Sequence, residues 1–493
     1  MLSQLPRSRW DERAAAHLLS RAGFGGTPEE ISNVHAKGLE RAVHDLVESG
    51  PAAYEVAPPE WAHPRDLREL RQEARMAKER GDNSKVREVR KMEGDELLDL
   101  RRWWLGWMGA TPAPLVEKLT LFWHGHFATS AEKVKDGYWM WRQNDTLRRH
   151  ALGNFVSLTK AMSRDPAMMI YLDLPQSRPE HPNENWAREL MELFTVGIGN
   201  YTEQDVRESA RAFTGYRLDL ATQQSYFAPR QHDAGPKTFL GRRGNFNGDD
   251  IIDILASQPA CAQFIGRKLC RYFVADEPEA ALVNSVAASL RAHQFEMKPV
   301  LRELFSSNEF YADSVVRAQI KSPVQFTVET CKLLSCDLPA APIAQNAMRQ
   351  MGQVLFAPPN VKGWDGGKSW ISTSTLLFRN NFANYLINGD AMLPPANRAK
   401  PGDPGLRTGA RAAIAQQFPR APIDVNKIAP PELRADPEKL VTQLSQRVFQ
   451  TGAAPEDLAA FTSFLEQRNG DTNDVTVRGL LHLMMSTPDY QLT

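Results

Sequence analysis

Charged side chains are concentrated in one stretch of the chain, NENWARELMELFTVGIGNYTEQDVRESARAFTGY, which covers residues 183–216. Apolar residues recur every three to four positions on both sides of a glycine-containing turn, and this spacing predicts two helices. So many charges in a helix pair can form a catalytic site, brace the helices through salt bridges, or face solvent. The charged residues in question are Glu184, Arg188, Glu189, Glu192, Asp205, Glu208 and Arg211.

A bracing role accounts for most of these charges. The predicted partners are Glu184 and Glu192 for Arg188, Thr202 for the capping residue Asp205, and Arg211 for Glu208. Glu189 is left without a predicted partner. A buried carboxyl without a partner has a raised pKa, which is the property that a general acid needs.

Two histidines stand two residues apart in FWHGHF, namely His124 and His126. In an extended segment both side chains would point the same way, as a two-histidine metal clamp requires. On a helix they would diverge by about 200°, and the clamp would fail. The alternative interpretation is a pair of structural histidines with satisfied hydrogen bonds.

Two loops combine polar side chains with glycine and proline. In RQHDAGPKTFLG, His232, Asp233 and Lys237 flank a Gly-Pro turn, and packed polar groups in a loop often have a function. In NVKGWDGGK, Trp364 lies between glycines and charged groups, which suits stacking on a sugar ring. A tryptophan that fills the core beneath the loop is the alternative interpretation.

These residues favour a hydrolase that acts on glycosidic bonds of a polysaccharide or another glycan. Such hydrolysis needs one protonated and one ionised carboxyl group. We predict that Glu189 is the acid and Asp233 the base or nucleophile, that both face one cleft, and that no cofactor is needed. The residues predicted to tune these carboxyls or to bind the carbohydrate are His126, Arg188, His232, Lys237 and Trp364.

Two other functions remain open. One is a metal-dependent enzyme, and the predicted ligands of its divalent ion are His124, His126, His232 and Glu184. The other is a non-catalytic scaffold or assembly partner, in which the charges of residues 183–216 form a buried salt-bridge network.

The elements that must position these residues are mostly helices, because strand patterns are scarce. We predict a mostly α fold, a multi-helix body with irregular functional loops and at most a short β-hairpin. The predicted parts are a main helical domain at 1–388 with a charged helical segment at 65–102, a Pro/Gly-rich linker or wrap at 389–436, and a C-terminal helical segment at 437–493 that packs on the main domain.

Composition limits the partners and the location. The 493 residues contain 59 Lys and Arg and 59 Asp and Glu, so no net charge recruits nucleic acid. No apolar run reaches the ~18 residues of a membrane span. The N-terminal residues lack the apolar core of an export signal. We therefore expect a soluble cytoplasmic protein as the sequence stands, or a periplasmic or secreted one if a signal has been removed.

Six segments carry a resemblance to a known family: HLLSRAGFGGTPEEI, FWHGHFATS, the stretch at 183–216, RQHDAGPKTFLG, FIGRKLCRYFV and APPNVKGWDGG. Together they resemble, over nearly the whole chain, the bacterial family catalogued as domain of unknown function 1800. The resemblance implies a mainly helical fold. It also implies a partner, an alkaline-phosphatase-like protein encoded by a neighbouring gene in bacteria that process polysaccharides. It supplies no catalytic residues, so the roles above come from chemistry alone.

Overall fold

The computed structural model describes residues 2–50, 54–65, 68–389, 420–450 and 452–493. In these parts 23 α-helices account for most of the chain, and the strands form two small antiparallel sheets. The predicted mostly α fold is confirmed. None of the described helices is long and apolar enough to cross a lipid bilayer.

Side-chain caps and prolines begin most of the first ten helices. Thr27, for example, closes a capping box with Glu30, and the side chain of Asn154 accepts two backbone N–H groups. These helices are α1 Glu12–Arg21, α2 Pro28–Lys37, α3 Leu39–Val47, α4 Arg68–Glu79, α5 Ser84–Ala110, α6 Pro114–His126, α7 Ala131–Val134, α8 Gly137–Arg149, α9 Phe155–Ser163 and α10 Pro166–Tyr171.

The two helices predicted within residues 183–216 are present. The first, α11 (Glu184–Glu189), continues without a break into a π-helical turn at Leu190–Thr195. The second, α12 (Glu203–Ala212), begins with the predicted capping box between Thr202 and Asp205. The π turn is not visible as a separate feature in the apolar spacing, because one wider turn shifts the pattern by only one residue.

Two short hairpins follow α12, whereas the sequence predicted at most one. The paired strands are β1 Tyr216–Asp219 with β2 Gln224–Phe227, and β3 Lys237–Phe239 with β4 Arg242–Gly244. The second hairpin turns at Leu240 and Gly241, whose φ angles of 44° and 76° fit a tight two-residue turn. Its strands have three residues each, which is too short for an alternating pattern to be recognised.

The other described helices follow the hairpins. They are α13 Gly248–Ala256, α14 Pro259–Phe273, α15 Ala280–Ala292, α16 Met297–Phe305, α17 Pro323–Leu333, α18 Ala341–Met351, α19 Thr373–Asn388, α20 Pro431–Arg434, α21 Pro437–Phe449, α22 Pro455–Glu466 and α23 Asp474–Met485. Short 3₁₀ turns occur at Arg7–Arg9, Leu174–Gln176, Pro229–Gln231, Gly367–Trp370, Val425–Lys427 and Asp489–Gln491.

Buried apolar side chains form two large clusters. The first cluster draws on residues 5–315 and includes Trp123 and Trp186. The second draws on residues 24–490 and includes Trp104. Helix α6 supplies both clusters, because Trp123 and Leu121 point to opposite sides of it. The C-terminal end of α6 therefore lies deep in the molecule.

The C-terminal helices belong to the second cluster. Helices α21, α22 and α23 contribute Leu444, Phe461 and Val477 to it. Residues 390–419 of the predicted linker lie outside the described residues, and of the remainder Val425 and Ile428 are buried in the same cluster. The domain boundaries at 388 and 436 stay predictions.

Candidate acid–base site

The π turn at Leu190–Thr195 is the structural centre of the candidate site. The N–H groups of Val196 and Gly197 both donate to the carbonyl of Met191, at 3.0 and 2.9 Å, which ends the turn. The carbonyls of Leu193 and Phe194 bond to side chains from other helices instead. Single π turns in α-helices are often found at functional sites, because they redirect backbone groups and side chains.

His126 and Lys268 bind these two carbonyls. His126 Nε2–H donates to the Phe194 carbonyl at 3.0 Å, and Lys268 Nζ donates to the Leu193 carbonyl at 3.0 Å. Lys268 Nζ also donates to His126 Nδ1 at 3.0 Å, which defines the imidazole as neutral with its hydrogen on Nε2. Helices α6 and α14 are thus tied to the π turn through one histidine–lysine pair.

Burial dominates the electrostatics of this pair. Burial, followed by the positive charges of Arg271 and Lys362, lowers the pKa of Lys268 to about 7. Burial, followed by the charge of Lys268, holds the pKa of His126 well below its usual value. The Lys268 amine also lies 4.8 Å from the centre of the Phe264 ring. Near neutral pH the site therefore contains an amine that exchanges its proton readily.

Glu189 and Glu192 lie on the same side of the helix as Leu193, because positions three and four apart share a face. Glu189 is half-buried and makes no hydrogen bond or ion pair with any described residue. Burial and then the charge of Glu192 raise its pKa, with Arg188 acting in the opposite direction. Glu192 accepts a hydrogen bond from the hydroxyl of Tyr201 at 2.9 Å. The predicted isolation of Glu189 and its raised pKa are confirmed.

Arg188 binds Glu203 instead of Glu192, which was one of its two predicted partners. Its guanidinium donates to both carboxylate oxygens of Glu203, at 2.7 and 2.8 Å, and reaches Glu184 at 3.4 Å. The predicted bridge to Glu192 is wrong, because α12 packs against α11 and presents Glu203 at the shorter distance, while Tyr201 binds Glu192. Arg188 thus lies beside Glu189 but is engaged in holding the two helices together.

Asp233 and Lys237 are parts of a network that fixes the loop after β2. Arg211 donates to both carboxylate oxygens of Asp233, at 2.7 and 3.2 Å, and to Glu208 at 2.9 Å. The buried amine of Lys237 donates to the carbonyls of Asp233 and Gly235, at 2.6 and 3.1 Å. Every polar group of this network is therefore engaged in holding the loop on α12.

The electrostatics of this network follow from those contacts. Burial alone would raise the pKa of Asp233, but the hydrogen bonds from Arg211 and Gly235 outweigh it and the pKa is lowered. Burial lowers the pKa of Lys237. Glu208 accepts the backbone N–H of Thr238 at 3.0 Å. The predicted bracing roles of Glu208 and Arg211 are confirmed.

The structure does not bring Glu189 and Asp233 together. Arg188 meets α12 at Glu203, whereas Asp233 meets it at Arg211. These two positions are eight residues apart, which is about 12 Å along a helix. No contact between Glu189 and Asp233 is present in the described part of the chain. Glu192, three residues from Glu189, is the nearer carboxylate in sequence and in space.

His124 and His126 face opposite sides of α6, because their segment is helical. His124 Nε2 accepts the backbone N–H of Phe356 at 3.0 Å, and its ring lies 5.6 Å from that of Trp364. Burial lowers the pKa of His124 to about 3. Trp364 therefore covers the buried end of α6 on the side away from the π turn.

His232 lies in the loop after β2, where its Nδ1 is 3.0 Å from the carbonyl of Thr214. Glu184, the fourth proposed metal ligand, meets Arg188 on the surface of α11. The four proposed ligands thus contact different elements. Within the described ranges, no group of three or more His, Cys, Asp or Glu side chains is arranged to share a metal ion.

Sequence reasoning missed Glu192, Tyr201 and Lys268 as parts of the site. A signal for Lys268 exists in its own helix, PACAQFIGRKLCRYF. That helix contains no acidic residue, so a lysine next to the buried Leu269 had no local partner. The contact of Tyr201 with Glu192 depends on the turn geometry and has no comparable signal.

Comparison with known proteins gives one match. The family model described as "Protein of unknown function (DUF1800)" covers residues 17–492, so the chain belongs to this family. Neither the curated proteins nor the solved structures provide a match. The resemblance found in the six sequence segments is therefore confirmed, and the chemistry has to be inferred from the site itself.

Proposed function

We propose that the protein is a hydrolase that acts on glycosidic bonds of a polysaccharide or another glycan, with Glu189 as the general acid. The observation that carries this proposal is the state of Glu189. It is a half-buried carboxyl with a raised pKa and without a hydrogen bond or ion pair among the described residues. A group in this state keeps its proton to higher pH and can deliver it to a leaving oxygen.

Glu192 is the second carboxylate of the proposed reaction, in place of Asp233. Side chains three residues apart on a helix have Cβ atoms about 5–6 Å apart, which allows the carboxyl separations used by glycosidases. The Tyr201 hydroxyl donates to Glu192 and so orients the carboxylate as a base or nucleophile. Tyr171, whose pKa is raised by burial and then by Glu189, adds an aromatic face beside the acid.

The pair of His126 and Lys268 has a positioning role in this proposal. Both side chains bind carbonyls of the π turn, and this turn sets the direction in which Glu192 leaves the helix. Arg188 and Glu203 fix the other side of the same helix. The two carboxyls thus lie between these two sets of contacts, which orient the helix as a preorganised site requires.

A polysaccharide hydrolysis screen tests the proposal, with reducing ends as the readout. We expect wild-type protein to release reducing ends from at least one glycan and Glu189→Gln to lower the rate by about 10²–10⁴-fold, the usual contribution of a general acid. Glu192→Gln should lower it comparably. Glu184→Gln, the same change on the same helix, is the matched control and should leave the rate unchanged.

The Asp233→Asn variant distinguishes between the two possible pairs of catalytic carboxyls, Glu189 with Glu192 and Glu189 with Asp233. If Asp233 only fixes the loop, the folded fraction of this variant should hydrolyse glycans at the wild-type rate. A folded Asp233→Asn protein without activity would restore Asp233 as the base. Full activity of Glu189→Gln would contradict the proposal as a whole.

An assembly role is the second candidate function, and the network around Arg211 is the observation that favours it. Four polar groups there serve to attach one loop to one helix, as in a protein that presents a rigid surface to a partner. In that case no glycan would be cleaved, and Glu189→Gln would behave as wild type in every assay of activity.

A further inference from the structure

Cys331 and Cys336 lie close together at the C-terminal end of α17. Cys331 is in the last turn of the helix and Cys336 follows it in the loop. The N–H of Cys336 donates to the carbonyl of Cys331 at 3.0 Å, and Ser335 between them has a φ of 48°. This backbone bond closes the end of the helix on itself, and the two thiols interact with each other. Both sulfur atoms are therefore within reach of one S–S bond.

The surroundings make the two thiols unequal. Cys331 is buried, whereas Cys336 keeps partial access to solvent. The guanidinium of Arg420 lies beside Cys336 and also donates to the carbonyl of Asp337 at 2.7 Å. The contact with Cys331, supported by Arg420, lowers the pKa of Cys336, while the same contact and burial raise the pKa of Cys331. The Cys336 thiol is thus suited to attack an oxidant, and the Cys331 thiol is suited to attack the oxidised Cys336.

We propose that Cys331 and Cys336 form a peroxide-sensitive thiol pair that closes to an intrachain disulfide. The Cys336 thiolate attacks one oxygen of hydrogen peroxide, the O–O bond breaks, and a sulfenic acid and water form once a proton is taken up. The Cys331 sulfur then attacks the Cys336 sulfur, its proton leaves with the hydroxyl as a second water, and the S–S bond forms. Two thiols are oxidised and one peroxide is reduced to two waters.

The other two cysteines provide an internal comparison. Cys261 and Cys270 are buried on α14, and burial raises the pKa of each thiol to about 12. Among the described residues, neither has the neighbouring thiol that distinguishes Cys336, and the charge of Arg267 near Cys270 does not outweigh burial. Closure of the disulfide also removes the thiolate beside Arg420, whose guanidinium keeps its hydrogen bond to the Asp337 carbonyl.

Titration of the full-length chain with hydrogen peroxide tests the proposal. We expect free thiols to fall from four to two, and tryptic peptides to contain a 331–336 disulfide that dithiothreitol reverses. Cys336→Ser should abolish the disulfide, Arg420→Gln should slow its formation several-fold, and Arg420→Lys should restore the rate. Cys261→Ser is the matched control and should leave it unchanged.

Two results would overturn the proposal. One is oxidation of Cys336 to sulfinic acid without a link to Cys331. The other is oxidation of Cys261 and Cys270 at the same rate as the 331–336 pair. Circular dichroism of each variant establishes that the fold is retained, so a slow rate in Arg420→Gln reports on the thiol chemistry.

Discussion

Lys268 differs strongly in its chemistry from an ordinary exposed lysine. Its amine is bound by a neutral imidazole and a carbonyl, and its charged neighbours Arg271 and Lys362 are also cations. Neither contact compensates for the loss of water around a positive charge, which is why its pKa is lowered. In the sequence, the only sign of this lowered pKa is that α14 contains no acidic residue.

The first prediction concerns the titration of this amine. Labelling of the native protein with acetic anhydride over a range of pH should modify Lys268 with a midpoint near its pKa of about 7. Exposed lysines such as Lys78 serve as internal references in the same digest, and quantitative mass spectrometry gives both curves. A midpoint for Lys268 equal to that of the references would contradict the inferred neutral amine.

The lowered pKa of Lys268 also makes the stability of the protein depend on pH. The folded protein binds this proton less tightly than the unfolded chain, whose lysine has the ordinary value of 10.5. The contribution of Lys268 to stability is therefore fully present above pH 10.5 and is lost as the pH falls towards 7. Lys268→Met should remove this part of the pH dependence of unfolding.

At the scale of elements, helices α11 and α12 contain contacts that hold them in place and one acid, Glu189, that forms no hydrogen bond or ion pair with a described residue. The spacing of charges predicted the capping box at Thr202 and the pair of Glu208 with Arg211, because both depend on local helical geometry. Of the two acids that it gave for Arg188, Glu184 is in contact and Glu192 is wrong, since Glu203 comes from the neighbouring helix. Contacts within one helix could be predicted, and contacts across the turn could not.

The second prediction compares two ion pairs of α12: the pair of Arg211 with Asp233, which attaches a loop, and the exposed pair of Glu203 with Arg188. Asp233→Asn removes the charge that receives two hydrogen bonds from Arg211, and should lower the free energy of unfolding by about 1.5–3 kcal/mol. Glu203→Gln alters a pair whose acid is 65% exposed, and should change the free energy of unfolding much less than Asp233→Asn does. Urea denaturation measures both. Equal stability of Asp233→Asn and wild type would show that the network is dispensable.

At the scale of the whole molecule, one buried ion pair connects three helices. Arg148 on α8 binds Glu117 on α6 at 2.5 and 3.1 Å, and both side chains are fully buried. The indole N–H groups of Trp104 and Trp107 on α5 donate to the same carboxylate, at 2.7 and 3.0 Å. Much of the tryptophan-rich stretch near residue 105 therefore serves the interior rather than a carbohydrate surface.

The third prediction follows from that pair. Glu117→Gln leaves the Arg148 charge buried without a counter-charge, and should lower the free energy of unfolding by about 3–5 kcal/mol. The double variant Glu117→Leu, Arg148→Met removes both charges and should lose less than the single variant. Chemical denaturation of the three proteins makes the comparison. A double variant less stable than the single one would mean that the indole hydrogen bonds, rather than the ion pair, dominate.

The sequence by itself determined the family, the helical fold and the isolation of Glu189. These features depend on short-range spacing, on caps and on which charges have partners one helical turn away, and such relations are fixed by helix geometry. Tertiary structure alone decided that Tyr201 binds Glu192, that His126 meets Lys268, and that Cys331 interacts with Cys336 beside Arg420. Those contacts depend on how distant helices pack and on a π turn and a helix end, whose geometry leaves no periodic trace in the chain.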